Sequence, residues 1–340
     1  MQSALREDIL AQPAMLDAAA QRHAAADGPL AAAAALLCRP GLRRIVFSGM
    51  GSSHAAAYPA MLRLFAAGLP VHWIELAELL HYGGTLDATT ALVVVSQSGE
   101  TIEARRLLER LAPSVPLVAV TNAAASTLAR RAAVVIETFA GAELGVATRT
   151  YTAALLALHA LAAHVLGEAS FLTALAPALA RVHAVAAAAP AFVAGLDDAW
   201  FDEAPVIVVG RGPALATAHS GALVLKETAR RASEAQSSAQ FRHGPLEIAD
   251  ARVRVLVCMQ PGPTAAFDRA LVAEIAGYGV PTLTIGPLAP EHGAWLPIAD
   301  APFAEFAAIL PIQLLAYAAA ERRGLVPGVF RYIGKVTSTE

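Results

Sequence analysis

The chain carries one strand-and-glycine signature twice. Ile45-Val46-Phe47-Ser48 runs into Gly49-Met50-Gly51, and Val206-Ile207-Val208-Val209 runs into Gly210-Arg211-Gly212 at an offset of 161 residues. Met259–Thr264 takes the place of Ser96–Thr101 at an offset of 163, and Val280-Pro281 that of Val115-Pro116 at 165. Loop changes produce drift of this size, so the pattern argues for a duplicated domain rather than a solenoid. In the first copy, Val71–Ile74, Leu92–Val95, Leu117–Val120 and Val134–Ile136 supply further short apolar strands. Helical-period segments lie between them, at Ala55–Ala67, Ile102–Leu111 and from Tyr151 onward. Strands alternating with helices predict an α/β fold with parallel sheets covered on both faces. We expect a helical segment at 1–35, a first domain at 36–183, a second at 199–325 and a tail at 326–340. A linker is expected near Ala184–Asp198, where an alanine run meets Pro190 and two aspartates.

The copies differ in one loop. Ser96-Gln97-Ser98-Gly99-Glu100-Thr101 follows a buried-type strand and precedes a helix start. A helix N-terminus offers free N–H groups and the positive end of its dipole, which suits an anion. Three hydroxyls and no cation within the loop suit a phosphate that must be held and released. The plain alternative is a capped helix with Ser98 as its N-cap. The second copy has lost both serines and gained two prolines, so only the first is expected to bind an anion. Ser52 and Ser53, after Gly49-Met50-Gly51, add two more hydroxyls. That glycine pair also suggests a dinucleotide fingerprint with Glu75 as the ribose acid. Against it, His54 stands where the third glycine belongs.

At 340 residues and a net charge of −3, the chain has room for two domains and no excess of basic charge for nucleic acid. Hydrophobic content is 56%, much of it alanine, and mean hydropathy is +0.52. His159 and His164 interrupt Thr152–Gly167, and Glu305 and Pro311 interrupt Phe303–Ala320, so no membrane span is expected. Met1–Asp8 is charged where a signal peptide would be apolar, so a cytoplasmic location is expected. Two cysteines, Cys38 and Cys258, form no framework, and no cluster has the spacing of metal ligands; neither metal nor cofactor is expected. Of 25 basic residues only Lys226 and Lys335 are lysines. An amine, unlike a guanidinium, can lose its proton and attack a carbonyl.

Glu227 shares a helix face with Leu223 and Ser220, where a half-apolar setting suits a proton-transfer base. Its plain alternative is a surface acid paired to Arg230 or Arg231. His243 lies in the turn Arg242-His243-Gly244-Pro245, which fixes one imidazole; its plain alternative is a structural loop histidine.

Gly51-Ser52-Ser53, Ser96–Thr101, Glu143–Ala147, Gly210-Arg211-Gly212, Leu225-Lys226-Glu227, His243-Gly244-Pro245 and Lys335 occur in one order. Together they resemble the sugar-isomerase (SIS) double-domain family: the isomerase half of glucosamine-6-phosphate synthase, stand-alone phosphosugar isomerases and SIS-type glucosamine-6-phosphate deaminases. The resemblance implies two tandem SIS domains, each with a parallel, flavodoxin-like sheet. It implies that Ser52, Ser53, Ser96, Gln97, Ser98 and Thr101 hold the sugar phosphate, with Val146 lining the sugar. By the same likeness Glu227 moves a proton between C1 and C2. His243 opens the ring, reaching across a homodimer, and Lys335 forms a Schiff base with the ketose. The implied substrate is a hexose or hexosamine 6-phosphate, and the implied reaction is deamination of glucosamine 6-phosphate to fructose 6-phosphate. Isomerisation without deamination, ammonia-dependent synthesis and a non-catalytic phosphosugar-binding regulator are the alternatives. The chain departs from the family pattern at Val224, at Gln240 and in a shorter loop after Ala147. With no cysteine near the amino end, glutamine-driven amidotransfer by this chain alone is not expected.

Overall fold

The computed structural model describes residues 4–25, 28–299 and 302–337; the reading placed on Met1, Gln2 and Ser3 lies outside them. Three helices come first: α1 (Ala4–Leu10), α2 (Gln12–Ala25) and α3 (Gly28–Leu37). The first α/β run is β1 (Arg44–Gly49), α4 (Gly51–Ala66), β2 (Val71–Glu75), α5 (Leu76–Tyr82), β3 (Thr90–Val95) and α6 (Ile102–Arg110). It continues with β4 (Leu117–Thr121), α7 (Thr127–Arg131), β5 (Val134–Glu137) and α8 (Arg149–Leu166). The long α9 (Phe171–Ala194) follows. The second run is β6 (Val206–Gly210), α10 (Ala214–Ala229), β7 (Ser233–Ser237), α11 (Ser238–Phe241), β8 (Arg254–Cys258) and α12 (Ala265–Gly277). It ends with β9 (Thr282–Gly286), β10 (Ala294–Pro297) and α13 (Glu305–Arg322).

The two runs build two five-stranded parallel sheets, in the orders β2-β1-β3-β4-β5 and β10-β9-β8-β6-β7. Read from its other edge, the second order is β7-β6-β8-β9-β10. Each sheet therefore places its first strand between its second and third. In such an open sheet the order reverses beside the first strand, and ligands bind outside the carboxyl ends of the strands at that point. This flavodoxin-like order differs from the 3-2-1-4-5-6 order of the dinucleotide fold.

The chain divides into two compact units, and neither is one continuous piece. One holds Ala14–Thr173 with Arg331–Glu340; the other holds Met1–Pro13 with Ala174–Phe330. The amino-terminal helices thus do not form a segment of their own. The expected linker is also not one where it was placed: α9 runs through Ala184 to Ala194 despite Pro177 and Pro190. Alanine has the highest helix propensity, and an alanine run continues a helix more readily than it ends one.

The inner strands β3 and β4 of the first sheet are buried throughout, as a parallel sheet covered on both faces requires. Val46, Leu92, Val94, Leu117 and Ala119 pack with Leu76 and Leu79 of α5 and with Ala104 and Leu107 of α6. Every residue of α8 from Thr150 to Ala163 is buried. A helix apolar all round is a core helix, and this accounts for much of the high hydropathy. One helix among the described residues, α9, has the length and apolarity to cross a membrane by composition. Its Arg181 is buried and donates to the Pro302 carbonyl at 3.4 Å, a protein contact in the middle of the span.

In the other unit α10 packs closely on α13, at Gly221. A Cβ there would meet Ile312 Cδ1 at 3.0 Å and Cγ2 at 3.1 Å. Gly221→Val should therefore force the helices apart and cost about 1–3 kcal/mol of stability, read as a lower urea midpoint at unchanged m-value.

Candidate functional site

Gly49 ends β1 beside Val95 of β3 on one side and Glu75 of β2 on the other. A Cβ on Gly49 would lie 2.8 Å from the Val95 carbonyl oxygen and 3.1 Å from the His54 nitrogen. Its absence lets the first turn of α4 press against the carboxyl end of β3. Helix α4 begins at Gly51, so Ser52 and Ser53 belong to its first turn and not to a preceding loop. Ser52 is buried and Ser53 half-buried. His54, in the third-glycine position, stacks on Trp73 with ring centroids 4.0 Å apart.

The loop after β3 is fixed from several sides. Ser96 donates its N–H to the Val120 carbonyl at 3.0 Å, and the Gln97 carbonyl accepts from Asn122 N at 3.1 Å. Ser96 Oγ accepts from Gly99 N at 3.1 Å, and Ser98 Oγ from Glu100 N at 3.2 Å. Each of these hydroxyl oxygens thus accepts from the loop's own backbone, and a hydroxyl that accepts still has its proton to donate. Gly99 has φ +63°, and a Cβ there would lie 2.1 Å from Ser126 Oγ. Its carbonyl accepts from Leu128 N, and the Glu100 carboxylate accepts from Thr127 N at 2.6 Å, so the loop is fastened to the start of α7. That Thr127 N–H, with lesser help from Arg130 and Arg105, holds the Glu100 carboxyl below its ordinary range.

The capped-helix alternative does not describe this loop. Helix α6 starts at Ile102 with Thr101 as its N-cap, and neither Thr101 nor Ser98 caps it through a side chain. Thr101 Oγ1 is buried and has no hydrogen-bond partner among the described residues. A buried hydroxyl without a partner costs about 1–3 kcal/mol. The Ile102 N–H meets the carbonyl of Thr337 at 3.2 Å, so the carboxyl-terminal tail reaches the start of this helix.

The tail also brings Lys335 to Glu143. Lys335 Nζ lies 3.0 Å from Glu143 Oε2 and bonds the Gly145 carbonyl at 2.5 Å. The Glu143 side chain is fully enclosed. It further accepts from Thr148 N at 2.9 Å, Thr148 Oγ1 at 2.8 Å and Thr150 Oγ1 at 2.5 Å. Burial pushes this carboxyl up. The Lys335 charge, the Thr150 hydroxyl and the Thr148 N–H together outweigh burial and hold it below its ordinary range. Val146, expected against the sugar, is only 1% exposed, so its side chain is packed inward. Sequence reasoning quoted Glu143 within a motif but gave it no role. The signal was there in Thr148 and Thr150, five and seven residues on.

Glu227 and His243 belong to the other unit. Glu227 is half-buried near the end of α10. Arg231, one of the two arginines of its plain alternative, bonds the Trp200 and Ala204 carbonyls, both at 2.6 Å, and Asp202 at 3.1 Å. His243 is exposed on its turn and donates its N–H to the Gln240 carbonyl at 2.9 Å. With Arg211, Ser238, Arg242 and Phe267 it lines a cavity of about 210 Å³.

Residues 42–164 match the family model described as SIS domain. The chain carries a SIS domain. The serine loop, α4 and Glu143 all lie within it. The isomerising glutamine–fructose-6-phosphate aminotransferase of Methanothermobacter thermautotrophicus is 29% identical over 88% of this chain and 52% of its own length. The chain thus spans about half the length of the curated relatives it matches. The C-terminal domain of glucosamine-fructose-6-phosphate aminotransferase from Francisella tularensis shares the fold with a TM-score of 0.86. It has 21% identity and covers 96% of this chain and 98% of its own. Glucosamine-6-phosphate deaminase from Thermotoga maritima superposes with a TM-score of 0.82 at 19% identity, covering 98% of this chain and 99% of its own. These similarities bear out the resemblance that the motifs carried.

Two variants test the SIS domain's construction. Gly99→Ala should displace the loop from Ser126 and cost at least about 1 kcal/mol through the disfavoured φ alone, seen as a lower Tm and weaker protection of the loop amides from hydrogen exchange. Lys335→Met should lower stability at pH 7 by about 1–3 kcal/mol by removing a partner of a buried carboxylate. A carboxyl held low in the folded state contributes stability that is present above its unfolded pKa and lost as pH falls through the folded one. Without Lys335 the Glu143 pKa rises, so acid loss of stability should begin at a higher pH than in the wild type, in urea titrations between pH 7 and 4.

Proposed function

We propose that the chain is a phosphosugar isomerase of the deaminating kind, converting glucosamine 6-phosphate and water to fructose 6-phosphate and ammonia. The observation that carries this reading is Thr101 Oγ1, a buried hydroxyl with no partner among the described residues, in the same loop as two serine hydroxyls whose oxygens already accept from the backbone. A phosphate dianion offers acceptors to all of them and removes the penalty. The relatives named for fructose 6-phosphate favour the same ligand.

Ser52, Ser53, Ser96, Gln97, Ser98 and Thr101 hold the phosphate, and that binding energy orients the reacting carbons. His243 transfers the proton that opens the ring. Its exposure on a turn suits the family habit of lending it to a partner subunit, and we propose a homodimer on that basis. Glu227 takes the proton from C2 and returns it to C1, leaving an imine at C2. Lys335, once its amine is deprotonated and free of Glu143, displaces ammonia from C2 as a Schiff base. Water then releases the ketose and restores the lysine. The strand order shared by the two sheets supports reading the second as a further SIS domain.

The test is ammonia release and ketose formation from glucosamine 6-phosphate. The wild type should turn over, Glu227→Gln should lose about 10²–10⁴-fold in kcat, and Thr101→Val should raise KM about tenfold or more, as loss of a hydrogen bond to a charged group does. Interconversion of ketose and aldose phosphates without ammonia would instead establish the plain isomerase. Phosphosugar binding with no turnover would establish the regulator.

A further inference from the structure

A cavity of about 380 Å³ lies in the unit that carries the SIS domain. Its walls come from α2, α3, the end of α8 and the start of α9. Ala160, Ala163 and His164 line it, ten to fourteen residues along α8 from the threonine that holds Glu143. At the rise of a helix that is about 15–20 Å from the Glu143 end of α8, and no residue of the serine loop lines the cavity. A volume in the range of roughly 300–1,000 Å³ is that of a small-molecule site.

Two imidazoles give the cavity its chemistry. His23 lines it, is 6% exposed, and its Nε2 is buried with no hydrogen-bond partner among the described residues. The ring is held on Phe139, with centroids 5.1 Å apart. His164 places Nδ1 2.9 Å from the Ala160 carbonyl. The carbonyl can only accept, so Nδ1 is the donor in that contact. Burial first, and the neighbouring His164 second, push His23 down to about 4, so it is neutral at physiological pH. Glu168 at the cavity is paired with Arg63, whose guanidinium also contacts His159. The remaining walls are apolar: Leu30, Ala160, Ala163 and Phe171.

We infer that this cavity binds a neutral small molecule with an apolar ring and one hydroxyl, of the phenol or cyclic-alcohol class, the hydroxyl meeting His23 Nε2 and the ring lying against Ala160, Ala163 and Phe171. A hydroxyl both donates and accepts, so it satisfies His23 in either tautomer. A carboxylate or phosphate would meet no lysine or arginine among the described lining residues and would face the Glu168 carboxylate. The inference stands independently of the proposed reaction.

The test uses p-cresol and toluene, which differ by the hydroxyl, with p-toluate as the charged control, on the full chain at pH 7.5. p-Cresol should raise Tm with concentration and bind about tenfold more tightly than toluene in calorimetry, the worth of one well-made hydrogen bond. It should also shift the His23 ring nitrogens in spectra of ¹⁵N-histidine-labelled protein. His23→Phe should bring the two affinities within about twofold of each other, and Ala163→Leu, which fills the cavity, should abolish both. Failure of p-cresol to bind the wild type, equal affinity for p-cresol and toluene, or tighter binding of p-toluate would each overturn the inference.

Discussion

The SIS domain depends on a place where two backbones nearly touch. Gly49 carries the end of β1 so close to β3 and to the first turn of α4 that one added carbon would collide with both. From that approach follows the rest of the cradle. Ser52 emerges on a helix that starts at once, and Ser96 emerges from the next strand in register. Gly99 repeats the device one layer out, against Ser126. Neither glycine touches a ligand through a side chain. Their contribution is close approach, of β1 to β3 and α4 at Gly49 and of the serine loop to Ser126 at Gly99.

The second constraint is electrical. Glu143 is enclosed, and a carboxylate stays ionised in such a place only if its lone pairs are met. Two threonines and one lysine meet them. The same contacts pin the loop between β5 and α8 and bring the tail to the start of α6. Lysine rarity, a compositional oddity, becomes a structural statement here: Lys335 sits on the buried acid of the SIS domain. Its charge is needed there to keep Glu143 ionised. A role in covalent chemistry requires that it leave.

Much of this was legible in the residues. Short β-branched runs alternating with helical segments gave the parallel sheets, and the doubled glycine signature matched two sheets with one strand order. The serine loop stood out because the second copy lacks both of its serines and carries two prolines. What escaped reading depended on contacts far apart in sequence or on competing local preferences. Lys335 and Glu143 are separated by 192 residues, and no spacing rule joins them. The stretch from Ala184 looked like a linker because of Pro190, yet alanine's helix preference prevailed to Ala194. Val146 fits the family's pattern, but its side chain turns inward, which only packing could disclose.

Arg331–Thr337 group with the unit built from Ala14–Thr173, although the other unit's strands and helices are encoded between them. On the ribosome α6 and the loop that carries Glu143 are therefore made early, but they receive the Thr337 carbonyl and the Lys335 amine only after all the intervening chain has been synthesised. All five strands of the SIS domain's sheet are encoded before the tail that makes these contacts. The order of synthesis thus withholds the tail's contacts with Glu143, Gly145 and Ile102 until the second unit also exists.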